Sequence, residues 1–147
     1  MKEKILVSAC LLGTPCRYDG KSKPNPEVQA LEEQYELIPI CPEVDGGLET
    51  PRLPCEVKGD RIIREDGQDF TEPFSKGAKI ALMTAQQNNC KAAVLKEKSP
   101  SCGKNFRYDG SFQGKLIEGS GFTASLLQEN GILVFSENEI EELKRKL

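Results

Sequence analysis

Lys4-Ile5-Leu6-Val7-Ser8-Ala9-Cys10-Leu11-Leu12, halted by Gly13-Thr14-Pro15, is the stretch that decides the fold. It is short, almost continuously apolar and branched at its start, so both of its faces demand burial. That is the pattern of a strand inside a parallel sheet, and the glycine and proline behind it open a loop. Downstream, Pro24–Tyr35 reads as a helix with Pro26 near its start and Val28 and Leu31 on one face. Glu36–Ile40 is a second strand, ended by Cys41-Pro42. Residues 42–56 hold two glycines and three prolines, which predicts an ordered but irregular loop, and Glu56–Arg64 a short hairpin around Gly59-Asp60. Thr71–Asn89 opens on a capping signal at Thr71 and repeats Phe74, Ala78, Ile80–Met83 and Ala85 at helical spacing. Lys91–Lys96 is a third strand, running into Ser99-Pro100-Ser101-Cys102-Gly103. Ser120–Asn130 is a helix closed by Asn130-Gly131, Ile132–Phe135 a fourth strand, and Ser136–Leu147 a final helix opened by a Ser136 and Glu139 capping box.

Strand and helix alternate, so the expected fold is α/β, a single Rossmann-like domain with an open, mainly parallel sheet and helices on both faces. The 147 residues suit one domain, long enough to bury about two-thirds of the unfolded surface. A formal charge of −3 gives no general reason to coat nucleic acid or an anionic membrane, although local basic residues can hold a small nucleotide. No apolar run approaches the roughly 20 residues of a membrane span. Met1-Lys2-Glu3-Lys4 before the apolar run imitates a lipoprotein signal, but the apolar stretch ahead of Cys10 is too short for one. The expectation is a cytoplasmic protein.

Six cysteines and no histidine are the informative counts. Six is even, so a disulfide framework is considered, but buried-strand patterns without an export signal favour reduced thiols. Without histidine, proton transfer falls to carboxylates, Lys, Tyr, Cys or water. Cys10, Cys41 and Cys102 share one structural place, at or just beyond the ends of the first three strands, where open α/β sheets bind ligands. Soft thiolates select zinc, copper(I) or iron–sulfur clusters. Tight Cys-x₂-Cys pairs typical of structural zinc are absent, and three thiolates suit a cubane cluster with one open iron better. Cys16, in the same loop as Cys10, stands as a fourth ligand, a resolving thiol or a passive neighbour. Cys90 reads as a buried small hydrophobe at the opposite sheet edge, and Cys55 as structural or incidental.

The loops add candidates. Arg17-Tyr18-Asp19-Gly20 nearly duplicates Arg107-Tyr108-Asp109-Gly110: Asp-Gly supplies a turn, Arg a fork for an anion and Tyr a surface on which a base stacks. Glu43, close behind Cys41, is the candidate acid or base, and Arg52 either holds a substrate anion or pairs with Glu43. Ser99 and Ser101 offer hydroxyls beside Cys102, for substrate or for a helix cap.

Three segments resemble the signature motifs of the thiouracil desulfidase family, long catalogued as a bacterial domain of unknown function. They are Ser8-Ala9-Cys10-Leu11-Leu12-Gly13 with Arg17-Tyr18-Asp19-Gly20, Cys41-Pro42-Glu43-Val44 through Pro54, and Ser99-Pro100-Ser101-Cys102-Gly103. The resemblance implies a [4Fe-4S] cluster held by Cys10, Cys41 and Cys102, its open iron taking the sulfur of a thiolated base, nucleoside or nucleotide. It implies Glu43 as the acidic catalytic residue and a serine role at Ser99 or Ser101, Ser99 preferred. Arg17, Tyr18, Asp19 and Arg52 are the expected substrate-binding residues. At Cys16 and Cys55 the family often carries other residues. Two other readings stay open: a non-catalytic zinc or iron–sulfur module, structural or sensory, and a thiol–disulfide oxidoreductase using Cys10 and Cys16, which lacks the usual Cys-x-x-Cys.

Overall fold

The computed structural model describes residues 2–147. In chain order the elements begin with β1 (Glu3–Ser8), α1 (Pro26–Ala30), β2 (Tyr35–Ile40), α2 (Pro42–Asp45), β3 (Cys55–Lys58) and β4 (Arg61–Arg64). They continue with α3 (Thr71–Gln87), β5 (Ala92–Leu95), β6 (Phe106–Tyr108), β7 (Leu116–Glu118), α4 (Phe122–Glu129), β8 (Leu133–Ser136) and α5 (Ile140–Lys146). The central sheet is parallel throughout, in the order β2-β1-β5-β8.

The period of two in the strands builds two cores. Ile5 and Val7 of β1, Ala92 and Val94 of β5 and Phe135 of β8 pack with Val28, Leu31, Ile140 and Leu143, under α1 and α5. Leu6, Ala93, Leu95 and Val134 face the other way, against Ala81 and Ala85 of α3 and Ala124 and Leu127 of α4. Helices therefore cover both faces of an open parallel sheet, as the alternation of elements predicts. The chain steps from β1 out to β2 and then returns to β5 on the other side of β1. That reversal opens a crevice at the carboxyl ends of β1 and β5, the place where such sheets bind ligands.

Several local readings are corrected. The helix expected over Pro24–Tyr35 is shorter: Asn25 caps α1 by accepting the Val28 N–H at 3.1 Å, and a 3₁₀ turn at Leu31–Glu33 follows. Val28 and Leu31 still share the buried face. The loop expected over 42–56 contains the single turn of α2 and the start of β3, whose hairpin with β4 turns at Gly59-Asp60 as expected. Thr71 does not cap α3. Its hydroxyl accepts the Ile62 N–H at 2.9 Å, and Asp69 takes the Thr71 N–H at 2.8 Å, so Thr71 joins the hairpin to the helix. The last helix starts at Ile140, although Glu139 does reach back to the Ser136 N–H at 2.9 Å. The hairpin β6–β7 had no counterpart in the sequence reading.

One close approach ties fold to site. A Cβ built on Gly77, in α3, would stand 1.9 Å from the Pro42 carbonyl oxygen. Only glycine lets α3 press against the turn of α2, which fixes Cys41 and Glu43 at the end of β2. No helix among the described residues is long and apolar enough to cross a membrane.

Candidate active site

A cavity of about 400 Å³ opens at the carboxyl edge of the sheet. Its lining includes Cys10, Cys16, Cys41, Cys55 and Cys102, while Cys90 lies away from it under the sheet. Cys10 sits in a 3₁₀ turn, Ala9–Leu12, that directly continues β1, and its carbonyl accepts the Lys23 N–H at 2.9 Å. Cys41 is the residue ahead of α2, and its N–H reaches the Asp45 carboxylate at 3.3 Å. Cys102 follows β5 on a loop organised by Ser99, whose hydroxyl accepts the N–H groups of Ser101 and Cys102 at 3.1 and 3.0 Å.

Beneath that loop lies a second organiser, which the sequence reading missed. Glu97 is 6% exposed, and its carboxylate accepts the N–H groups of Lys98, Lys104, Asn105 and Phe106 and the Asn105 side-chain amide. A buried charge is tolerated when donors surround it. Here they gather the whole segment that carries Ser99 and Cys102.

Glu43 projects into the cavity from α2. Arg52 donates to its Oε1 from Nε at 3.2 Å and Nη2 at 3.0 Å, and Ser99 donates to Oε2 across a longer 3.4 Å. The Arg52 side chain is itself 8% exposed and also bonds the carbonyls of Cys16 and Glu49 and the Thr50 hydroxyl. Of the two roles open to Arg52, pairing with Glu43 is the one observed. The arrangement holds one carboxylate in one orientation at a thiol-lined wall.

The remaining candidates divide. Arg17 and Tyr18 line the cavity, Tyr18 fixed through its carbonyl to the Arg52 N–H at 2.7 Å. Asp19 does not line it and serves its own turn, accepting the Lys21 N–H at 3.0 Å. Ser99 lines the cavity and Ser101 does not: Ser101 is fully buried, its hydroxyl 2.6 Å from that of Thr123. In the second tetrapeptide Tyr108 reaches the cavity, whereas Arg107 donates to the Ser120 carbonyl at 3.0 Å. Ser8, Cys55, Glu56, Lys96 and Phe112 also line the cavity and had not been singled out as site residues. Lys96 was hidden by its place at the end of a strand, where Glu137 holds it at 3.0 Å.

The thiols fit a metal centre by their chemistry. Cys16 is pushed up to about 11, first by hydrogen bonding with the Cys10 thiol, and Cys41 well above the thiol range, first by bonding with Cys16. Burial lifts Cys55 and Cys102 to about 12 each. Such groups stay protonated at neutral pH unless a cation compensates the thiolate, which is what a bound metal does. Among the described residues no three Cys, Asp or Glu side chains gather around a single-ion position. Thiols are the donors that iron–sulfur clusters and other soft metal sites use, and five of them line this one cavity.

Fold and site together define a cysteine-centred α/β protein with a small-molecule cavity at the switch point of its sheet. The chain belongs to the 2-thiouracil desulfurase family, whose model matches residues 5–139. It is 42% identical to the uncharacterized protein YbbK of Bacillus subtilis (strain 168), over 95% of this chain and 99% of that one. Among solved structures it resembles the [4Fe-4S]-dependent thiouracil desulfidase TudS, with a TM-score of 0.94 and 46% identity over 99% of this chain and 97% of the other.

Proposed function

We propose that this protein is a [4Fe-4S]-dependent desulfidase that replaces the sulfur of a thiolated pyrimidine, as base, nucleoside or nucleotide, with oxygen from water. The observation that carries the reading is the convergence of Cys10, Cys41 and Cys102 on one cavity, with Glu43 held in the same wall. These three cysteines are the proposed ligands. Bound there, a cluster would supply a thiophilic Lewis-acidic iron able to draw electron density from the carbon–sulfur bond.

The protein's own groups handle the protons and the ring. Glu43, oriented by Arg52 and Ser99, takes a proton from the water that attacks the thiocarbonyl carbon and returns it to the departing sulfur. The net change is C=S plus water to C=O plus hydrogen sulfide, with no electron gained or lost. Tyr18 and Tyr108 offer flat faces to the pyrimidine, and Arg17 and Lys98 stand at the same cavity for an attached phosphate. A Rossmann-like parallel sheet and a site of this size both suit a small substrate.

One observation favours a second reading. The Cys16 thiol lies beside those of Cys10 and Cys41, so it is placed to complete a four-thiolate cluster with no open iron, a non-catalytic electron-transfer or sensory module. Anaerobic reconstitution with iron and sulfide, followed by incubation with 2-thiouracil and 4-thiouridine, decides between them. The expected result is sulfide and the oxo base in equal amounts, dependent on bound iron. An iron-loaded protein that releases no sulfide from any thiolated pyrimidine overturns the desulfidase reading.

A further inference from the structure

Glu56 lies in β3, two residues past the second motif and outside all three, yet it lines the cavity. The residue is 9% exposed, and among the described residues no cation stands within ion-pair distance of it. Its Oε1 accepts the N–H groups of Gly110 at 3.0 Å and Phe112 at 3.1 Å, in the loop between β6 and β7. Its Oε2 has no hydrogen-bond partner among the described residues, and it is not one of the fully enclosed unsatisfied atoms. That oxygen is open to the solvent of the cavity, so a donor that enters the cavity can reach it, while Oε1 stays committed to the loop.

The loop is built to hold that geometry. Phe112 has a positive φ of 59°, unusual for an aromatic residue, and the bonds to Glu56 hold its backbone there. Gly110 has φ +94°, and a Cβ on it would meet the Val57 carbonyl at 3.1 Å and the Lys58 Cβ at 3.0 Å. The loop is thus pressed onto β3, with Tyr108, Phe112 and Gly114 on the cavity wall beside Glu56.

We infer that Glu56 is a substrate-recognition residue: its unpartnered Oε2 accepts a hydrogen bond from a ring N–H of the thiolated pyrimidine, while its Oε1 holds the Phe112 loop against the ring. The inference rests on the desulfidase reading for the identity of the ligand, and it names the edge by which that ligand is read. A carboxylate facing an N–H edge discriminates strongly, because a ring whose nitrogen is methylated leaves the charge unpaired.

The test uses wild-type protein and Glu56→Gln, both reconstituted anaerobically, with 2-thiouracil, its N1-methyl and N3-methyl derivatives, and uracil. Gln keeps a carbonyl for the Gly110 and Phe112 N–H groups but turns an N–H₂ toward the cavity. In the wild type, one of the two methylations is expected to weaken binding by about tenfold or more. In Glu56→Gln, KM for 2-thiouracil is expected to rise by a similar factor with kcat changed much less, unaltered iron content and a collapsed preference for the unmethylated ring. Equal binding of both methyl derivatives and 2-thiouracil by the wild type overturns the inference without any variant having to fold. So does a folded Glu56→Gln with wild-type KM and wild-type discrimination. Wild-type protein that binds uracil with this preference but releases no sulfide leaves Glu56 standing and removes the desulfidase reading. No binding of any pyrimidine removes both.

Discussion

The floor of the cavity and its mouth are built by opposite means. The floor is made of strand ends: Cys10 continues β1, Cys41 follows β2, and Cys102 follows β5 on the loop held by Glu97 and Ser99. The mouth is made of two loops that no regular element dictates, residues 17–21 and the turn of the β6–β7 hairpin. Arg-Tyr-Asp-Gly occurs in both loops, and its fate differs. In each copy Asp accepts a local N–H and Gly has positive φ, while Tyr faces the cavity. Only the first copy also sends its Arg there. The second spends its Arg on the Ser120 carbonyl, to hold the hairpin. The same four residues therefore give one loop that brings its arginine to the cavity and another that commits it to the hairpin.

The largest expected effects lie in the floor. Cys10→Ala, Cys41→Ala and Cys102→Ala should each lose the cluster and all activity after anaerobic reconstitution, as iron and sulfide counts will show. Cys16→Ala should keep both, because a saturated cluster leaves no iron for substrate sulfur. If Cys16→Ala empties the site as fully as the other three, the four-thiolate module becomes the better reading. Next in size is Glu43. Glu43→Gln should bind iron normally and lose about 10²-fold in turnover, the usual scale for a positioned acid–base group. Unchanged kcat in the loaded variant removes Glu43 from the chemistry, and loss of iron makes its role structural.

Glu97 sharpens the contrast in stability. Glu97→Ala orphans four backbone donors, so it should cost about 3 kcal/mol in denaturant unfolding and weaken cluster retention through Cys102. A cost below about 1 kcal/mol would show that water replaces the carboxylate freely.

The floor was legible in the sequence and the mouth largely was not, for a physical reason. Strand ends announce themselves through short apolar runs stopped by Gly or Pro, so the Cys10, Cys41 and Cys102 placements followed from periodicity alone. Glu43, Ser99 and Ser101 were candidates from their places beside Cys41 and Cys102, the family motifs added the preference for Ser99, and the structure then separated Ser99 in the wall from Ser101 in the core. The β6–β7 hairpin has strands of three residues with Phe106, Leu116 and Ile117 exposed, too short and too little buried to print a period of two. Its loop is fixed by Glu56, across 54 and 56 residues of chain, and no local pattern encodes a hydrogen bond at that range. Lys4–Leu12 was overextended for a related reason: its apolar run spans both β1 and the 3₁₀ turn, because that turn is buried too.

The smallest effect belongs to the mouth and depends on pH. Asp109 accepts the Ser111 N–H at 2.9 Å and the Ser111 hydroxyl at 2.6 Å, and these bonds hold its carboxyl below the usual carboxylate range. A carboxyl depressed in the folded state stabilises it above the unfolded value, about 3.9, and that contribution fades as pH falls through the lower folded value. The unfolded chain then binds the extra proton first, so the sign is loss in acid. The group is exposed, so the whole molecule should hardly respond. The hairpin turn should: exchange protection of the Ser111 amide should fall on acidification below about pH 4, after correction for the intrinsic pH dependence of exchange, ahead of the β1 and β5 amides in the floor. Asp109→Asn should abolish that acid-dependent step while leaving turnover at neutral pH within about twofold, since the amide oxygen still accepts the Ser111 N–H. A Ser111 amide whose corrected protection is independent of pH in the wild type would show that Glu56 and the Gly110 packing alone hold the mouth in place.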